Sequence, residues 1–233
     1  MDTSLFHGVA AMRSAERQLE SIAHNLANSD TPAYKRRSTV TQTFRLERNG
    51  SGDEQPRTSQ RIDFAQGQLE RTQIATHFAL DGQGFFAVEG PKGEVYTRNG
   101  TFRLDNTGVL QTTEGYPVAW QGSTGAIDPV GEPIRVETDG TVRQGVKELG
   151  KLKIAGFDDL EALSQNELGY WVAPRGLQPG ESDAAVLQGV LEGSNTSSID
   201  ELVAMIRVQR SFESSARMLA MIDESYQRLT SRS

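Results

Sequence analysis

Apolar and small residues near the end of the chain recur at alternating spacings of three and four. Within the stretch from Ile199 to Leu229, the recurring positions are Met205, Val208, Phe212, Ser215, Leu219, Ile222, Tyr226 and Leu229. This spacing is typical of one narrow apolar seam along a helix. Ser198 and Glu201 open the segment with an S-x-x-E pattern, which predicts a capping box at the helix start. A helix of this length cannot bury such a seam alone, so the pattern predicts a partner helix.

The beginning of the chain shows the same alternation. Its apolar positions are Leu5, Val9, Met12, Leu19, Ala23 and Leu26, if Glu16 fills the missing slot. We expect this helix to end near Asn28, because Pro32 follows and the residue before a proline is disfavoured in the α conformation. If the middle of the chain forms one body, the two terminal helices can pair antiparallel.

Between about residues 65 and 190 the pattern changes to short β-rich runs between turn signals. The runs are 78–80, 85–88, 95–97, 101–104, 116–120, 134–137, 141–142 and 152–157. Asp81-Gly82 and Asn99-Gly100 favour tight hairpins, because such pairs supply the positive φ that these turns require. Residues 38–46 alternate as a strand does, whereas residues 47–61 have the composition of a mobile connector.

We therefore predict an α+β fold in which paired N- and C-terminal heptad helices form an antiparallel coiled coil. These helices flank a β-rich antiparallel middle domain. The predicted boundaries are 1–34 and 195–233 for the helical domain, 35–64 for a connector with a short strand, and 65–194 for the β-rich domain. A chain of 233 residues is long enough for one core plus such an extended element.

Composition narrows the function classes. The chain has no cysteine, which excludes disulfides, thiolate metal sites and cysteine nucleophiles. The net charge is −7 and the acidic excess lies in the middle of the chain, which argues against nucleic acid or an anionic membrane as a partner. No apolar run is long enough for a membrane span, so we expect no direct membrane insertion. The first residues lack the pattern of a cleavable signal peptide.

Sequence motifs for catalysis or ligand binding are weak. Gly82-x-Gly84-x-x-Ala87 fits a loose dinucleotide fingerprint, but strand-forming residues follow where that motif needs a helix N-terminus. Asp105-Asn106-Thr107-Gly108 is similar to the opening of a calcium loop, but Tyr116 stands at the twelfth position, so we predict a β-turn. The three histidines are far apart in sequence. We therefore predict no enzyme, no cofactor and no metal site.

Three blocks of sequence carry a family likeness. The segment from Ala23 to Lys35 resembles the signature of bacterial flagellar rod and hook proteins. Its matching positions are Ala23, Asn25, Leu26, Ala27, Asn28, Thr31, Pro32 and Tyr34. Residues 80–88 and 96–102 resemble the β-domain block of the proximal-rod, distal-rod and hook group. Residues 191–195, 201–206 and 209–213 resemble the C-terminal helix of that family. The chain departs from the signature at His24, Ala33 and Thr196.

The resemblance implies a structural rod subunit of the flagellar basal body that polymerises into an axial tube for motility. It implies copies of itself and other rod and hook proteins as partners. It also implies export through the flagellar type III apparatus without a cleaved signal, to a rod that crosses the periplasm. The expected assembly seam comprises Leu5, Val9, Met12, Leu19, Leu26, Met205, Phe212, Leu219, Ile222, Tyr226 and Leu229.

Short length and a connector without a distal-type insertion favour the proximal rod, with the distal rod as the alternative. A competing class is a non-flagellar coiled-coil dimer that carries a β binding module, and an enzyme is a third. A stable dimer with fully formed helices at low concentration would favour the binding module.

Overall fold

The structure is a computed structural model that describes the backbone of residues 2–48, 51–122 and 127–230. Side chains are described for residues 8–40, 59–122, 127–222, 224 and 227. Two α-helices lie at the ends of this described chain, α1 at Asp2–Ala27 and α2 at Ser198–Thr230. Helix α1 ends where the sequence predicts, just before Asn28 and the turn that leads to Pro32.

The strands fill the region between the helices. They are β1 Arg37–Arg48, β2 Ser51–Ile62, β3 Leu69–Arg71, β4 Phe78–Asp81, β5 Phe85–Gly90, β6 Gly93–Thr97, β7 Arg103–Leu104, β8 Leu110–Gln111, β9 Trp120–Gln121, β10 Ile134–Val136, β11 Thr141–Gln144, β12 Lys147–Leu152, β13 Ile154–Gly156, β14 Ser164–Gln165, β15 Trp171–Val172, β16 Gly180–Glu181, β17 Ala185–Gln188 and β18 Val190–Glu192. The fold is therefore α+β with a β-rich middle, as the sequence predicts.

The strands pair antiparallel throughout their described ladders. One sheet has six strands in the order β14-β15-β6-β5-β13-β16, and another has four in the order β10-β11-β12-β9. The remaining pairs are β1-β2, β17-β4, β18-β3 and β7-β8. Pro91 and Lys92 form the two-residue turn of the β5–β6 hairpin, since Gly90 pairs with Gly93. Asp105 to Gly108 form the turn between β7 and β8, as the sequence predicts.

The Asn99-Gly100 pair does not form the predicted hairpin turn. The backbone N–H of Phe78 donates to the carbonyl of Gly100 at 3.0 Å. A Cβ atom at Gly100 would collide with the carbonyl oxygen of Phe78. The glycine is therefore needed for close approach of two backbones rather than for a turn.

The predicted connector contains a long strand. Strands β1 and β2 pair without a break from Arg37 opposite Ile62 to Arg48 opposite Ser51. Pro56 lies opposite Thr43 within this ladder. A proline cannot donate a ladder hydrogen bond, but a two-stranded hairpin has free edges where that loss is tolerated.

The predicted heptad coiled coil is wrong. The part of the chain that the structure describes has only two helices, and no seam position with a described side chain is fully buried. Helix α1 instead buries Ala15, Ser21, Ile22 and Asn25. Ala15 and Ile22 each precede a predicted seam position by one residue, which is about 100° around a helix. The strand β1 also packs on α1, because Ser21 Oγ lies 2.8 Å from Thr39 Oγ1. Because a strand as well as a helix packs on α1, the buried residues of α1 do not form the single apolar stripe of a two-helix coiled coil.

The chain divides into two compact units. The helical unit comprises Met1–Ser29, Lys35–Asp63 and Thr196–Ser233, and the β unit comprises Asp30–Tyr34 and Phe64–Asn195. The described core of the β unit is built from apolar side chains of most of its strands. Its largest fully buried members are Phe78, Leu80, Phe86, Val88, Leu110, Val118, Val142, Leu152 and Val186. The rings of Phe86 and Phe102 meet edge to face at 5.3 Å between centroids.

Candidate functional site

Helices α1 and α2 contact each other within the helical unit. Gly8 of α1 lies directly against Leu219 of α2, so that a Cβ atom at Gly8 would come within 2.5 Å of Leu219 Cδ2. The absence of a side chain at Gly8 therefore lets the two helices approach closely at this point. The contact joins the early part of α1 to the late part of α2, so the helices run antiparallel.

The seam residues of α2 form its least exposed face. Met205, Val208, Phe212, Leu219 and Ile222 are all half-buried. On α1, Met12, Leu19 and Leu26 are half-buried, whereas Val9 is 41% exposed. The side chains of Leu5, Tyr226 and Leu229 lie outside the described residues. Partial burial within one chain leaves apolar surface for a neighbour, so the role of this seam in assembly stays a prediction.

The start of α2 is capped differently from the sequence prediction. Ser197, one residue earlier than the predicted Ser198, accepts the first helical hydrogen bond from Glu201 N–H at 3.0 Å. The hydroxyl of Ser197 accepts a hydrogen bond from Asp200 N–H at 3.4 Å. Ser197 is therefore the N-cap, and Glu201 is released from a capping role.

Glu201 forms a buried ion pair instead. Its carboxylate is almost fully buried, and Arg36 Nε lies 2.5 Å from Oε1. The hydroxyl of Thr196 donates to the same oxygen at 3.3 Å. A buried carboxylate needs such partners because its desolvation is costly. The pair ties the start of α2 to the segment that precedes β1.

Asn25 is the motif residue with the clearest structural role. Its carboxamide donates to Arg37 O at 2.8 Å and accepts from Arg37 N–H at 2.8 Å. Asn25 is fully buried, so this pairing satisfies its polar atoms away from water. Asn28 donates to His24 O at 2.9 Å at the end of α1, which satisfies one of the last free carbonyls of the helix.

The following motif residues belong to the β unit. Ala33 has a left-handed φ of 58°, a region that favours glycine. Its N–H donates to Glu192 O at 2.7 Å, and Tyr34 O accepts from Asn195 N–H at 3.2 Å. The departure from glycine at this position is therefore accommodated in the glycine-like conformation, at a small cost in strain.

A second buried ion pair lies in the β unit. Arg98 Nε lies 3.4 Å from Oε2 of Glu192, and both side chains are at least nine-tenths buried. The other oxygen of Glu192 accepts from Gly67 N–H at 3.0 Å. Arg98 Nη2 donates to Gly82 O at 2.7 Å. Burial lowers the pKa of Arg98, and the charge of Glu192 opposes that shift.

Sequence reasoning missed these two ion pairs. All four residues fall next to or inside the motif blocks. They are Arg36, Arg98, Glu192 and Glu201, and the sequence predicts a structural role only for Glu201, as a capping residue. The sequence signal that could indicate such a buried charge is a single charged residue among apolar and glycine neighbours. Glu192, between Leu191 and Gly193, is an example. Burial of such a residue requires a partner, but the partner is distant in sequence.

The described part of the chain holds no cluster of three or more His, Asp or Glu side chains arranged to bind a metal. Gly82 and Gly84 lie between strands β4 and β5, not before a helix. No helix in the described residues is long and apolar enough to cross a membrane.

Comparison with known proteins assigns the family. Residues 79–144 match the model described as flagellar hook protein FlgE/F/G D1 domain. Residues 187–232 match the model described as flagellar basal body rod FlgEFG protein C-terminal. The chain is 31% identical to the flagellar basal-body rod protein FlgF of Caulobacter vibrioides, over 94% of this chain and 93% of the relative. It belongs to the flagellar basal-body rod protein family.

Further relatives extend this match over the whole chain. FlgF of Mesorhizobium japonicum is 31% identical over 100% of both chains. The rod protein FlgG of Bacillus subtilis is 30% identical over 97% of both. The C-terminal match covers the last two residues of β17, all of β18 and all of α2. Neither the matched models nor these relatives name a catalytic activity.

Proposed function

We propose that this protein is a structural subunit of the bacterial flagellar basal-body rod and not an enzyme. The observation that carries the proposal is the end-to-end similarity to rod proteins, together with terminal helices that leave apolar surface exposed. A folded β unit with its own core supplies a rigid body, and the helices supply surfaces for neighbouring subunits.

The proposed partners are other copies of this chain and other rod and hook proteins. We also propose export through the flagellar type III apparatus without a cleaved signal, to a rod that crosses the periplasm. A rod location supports these points, because subunits of an axial structure must leave the cytoplasm before they assemble. Mass spectrometry of the protein in purified basal bodies tests the signal: an N-terminal segment missing from the assembled form contradicts uncleaved export.

Within the rod we propose the proximal part. The FlgF relatives of Caulobacter vibrioides and Mesorhizobium japonicum match at 31% identity over nearly the full length. The FlgG relatives, which match at up to 30% identity, favour the distal rod as the second candidate. Crosslinking in intact basal bodies separates the two, because contact mainly with hook-side components would require the distal position.

Deletion of the gene, followed by complementation, tests the main proposal. We expect non-motile cells whose basal bodies lack a complete rod in electron micrographs, and full recovery with the wild-type gene. Motile cells with complete basal bodies after deletion would contradict a rod function.

A further inference from the structure

Asn99 and Gly100 form one of two Asn-Gly pairs in the chain, and the other is Asn49-Gly50. Asparagine side chains lose ammonia slowly in water, and they are among the thermolabile groups of proteins. The reaction is fastest before glycine, because no side chain hinders the backbone nitrogen that attacks. Asn49-Gly50 lies outside the described residues, whereas Asn99-Gly100 lies inside the β unit, between β6 and β7.

The reaction at Asn99 needs only the chain and water. The backbone nitrogen of Gly100 attacks Cγ of Asn99, so that a C–N bond forms and a succinimide ring closes. The bond between Cγ and Nδ2 breaks, and Nδ2 leaves as ammonia with the proton that the nitrogen of Gly100 gives up. Water then adds to either carbonyl of the ring. One direction of opening gives aspartate, and the other gives isoaspartate, whose main chain runs through the former side chain.

The fold holds the side chain of Asn99 in an arrangement that opposes ring closure. Its Oδ1 accepts a hydrogen bond from Thr101 N–H at 3.0 Å. Its backbone N–H donates to Thr97 Oγ1 at 3.0 Å. The attacking nitrogen must approach Cγ from above the plane of the carboxamide. A carboxamide whose plane is held by Thr101 therefore cannot turn freely to meet that nitrogen.

The backbone on both sides of Asn99 is also anchored. Gly100 is buried, and its carbonyl accepts from Phe78 N–H at 3.0 Å and from Phe102 N–H at 2.9 Å. On the other side, the side chain of Arg98 is buried in the β unit. Succinimide formation therefore requires local opening of this part of the β unit.

The two products differ in how they fit the native backbone. Aspartate at position 99 keeps an acceptor oxygen where Oδ1 of Asn99 stands, so the hydrogen bond from Thr101 N–H is retained. Isoaspartate adds one methylene to the main chain directly before Gly100. A Cβ atom at Gly100 would already collide with Phe78 O, so the close approach of the two backbones leaves no room for a longer chain.

We propose that Asn99-Gly100 is a deamidation site that the folded β unit suppresses and the unfolded chain exposes. Isoaspartate formed at position 99 prevents the β unit from refolding, whereas aspartate does not. A chain that stays unfolded for longer therefore loses more of its ability to form the β unit. The reaction is independent of the proposed rod function, because its reactants are only the chain and water.

Peptide mapping of the full-length protein tests the suppression. The protein is kept at mildly alkaline pH, either native or in concentrated urea, and is then denatured and digested with trypsin. Cleavage after Arg98 and Arg103 releases residues 99–103, whose asparagine, aspartate and isoaspartate forms are separated by chromatography and identified by mass spectrometry. Loss of asparagine is expected to be at least roughly tenfold slower in the native protein, since it requires local opening. Equal rates in the two states would overturn the proposal.

The same digest contains an internal standard. Cleavage after Arg48 and Arg57 releases residues 49–57, which hold the other Asn-Gly pair. Its deamidation in urea shows that the conditions support the reaction, so an unreacted residues 99–103 peptide in the same urea sample would overturn the proposal.

Refolding separates the two products. Protein aged in urea is diluted into native buffer, and the protease-resistant β unit is compared with the digested material. Isoaspartate at position 99 is expected only in the digested material, whereas aspartate is expected in both. An equal share of isoaspartate in the resistant β unit would overturn the proposal.

Two variants isolate position 99. Asn99→Ser keeps a hydroxyl acceptor but cannot form the succinimide, so its refolding yield is expected to fall less with time in urea than that of the wild-type protein. Asn99→Asp represents the tolerated product and is expected to melt close to the wild-type temperature. An equal decline in yield for Asn99→Ser, or a β unit that does not fold in Asn99→Asp, would overturn the proposal.

Discussion

The carboxamide of Asn25 is paired with the backbone of Arg37 at both of its ends, with two hydrogen bonds of 2.8 Å. A buried amide that bonds both the N–H and the C=O of one residue acts as a short strand partner. It thereby joins the end of α1 to the beginning of β1 inside the helical unit. This relationship explains why an asparagine occupies a position where an apolar residue would fit an amphipathic helix equally well.

Replacement of Asn25 by leucine is expected to destabilise the helical unit by about 2–4 kcal/mol. The reason is that Arg37 would lose two partners and leave its backbone groups unsatisfied. Hydrogen exchange of the α1 and β1 amides measures the effect. Asn28→Leu, which removes one exposed hydrogen bond, is the matched control and is expected to change exchange much less. Equal protection in both variants would contradict the assignment.

Arg36→Ala is expected to destabilise the start of α2 by about 1–3 kcal/mol, because Glu201 would stay buried with only the Thr196 hydroxyl. Partial exposure of Arg36 lets water replace some of the lost contact, which keeps the effect moderate. Removal of both charges in Arg36→Met with Glu201→Leu is expected to cost less than the single change. Denaturant unfolding followed by helical circular dichroism measures these differences. A double variant less stable than Arg36→Ala would contradict this account of the pair.

Leu219→Asp is expected to leave a folded β unit and a soluble, exported protein that cannot build a rod. The change places a charge against Gly8 at a half-buried position where apolar atoms now meet, so the cost of partly desolvating that charge is added to the lost apolar contact. Motility and electron microscopy of basal bodies measure the outcome. Met218→Asp, on an exposed part of the same helix, is the control and is expected to be milder. Normal swimming of Leu219→Asp cells would show that the seam is not an assembly surface.

The ionisation of the Tyr170 phenol is expected to make the stability of the β unit depend on pH. Burial raises its pKa, and its hydrogen bond to the Glu114 carboxylate adds to the rise. A folded-state pKa above the unfolded value of about 10 favours the neutral phenol, so this stabilisation is present below that pH and is lost as pH rises through the folded-state pKa. Glu114→Gln is expected to lower the pKa of Tyr170 in a spectroscopic titration of tyrosinate. Glu167→Gln, an exposed change of the same kind, should leave that pKa unchanged.

The β unit is expected to fold as a fragment, since its core cluster lies entirely within residues 64–195. A fragment of residues 64–195 is expected to melt at a higher temperature than one of residues 65–190. The longer fragment keeps Glu192, and without it Arg98 would be buried and unpaired. Thermal unfolding followed by near-ultraviolet circular dichroism makes the comparison. Identical melting temperatures would contradict a structural role for this pair.

Local signals in the sequence predicted the element types well. Pro32 and the polar residues before it mark the end of α1, and the turn at Asp105 to Gly108 lies where its side chains predict. Asp105 Oδ1 accepts from Thr107 N–H and Val109 N–H, each at 2.8 Å, so the turn is stabilised by neighbours in sequence. Elements that are stabilised by residues adjacent in sequence can therefore be predicted from the sequence alone.

What the sequence determined by itself is therefore the β-rich middle between two terminal helices, and the family to which the motif blocks point. The tertiary structure decided which sides of the helices are covered, that β2 pairs with β1, and that Glu201 binds Arg36 instead of capping its own helix. These features depend on partners distant in sequence. The apolar repeat of α1 does not show that Ala15 and Ile22, each one residue before a repeat position, are buried by the fold.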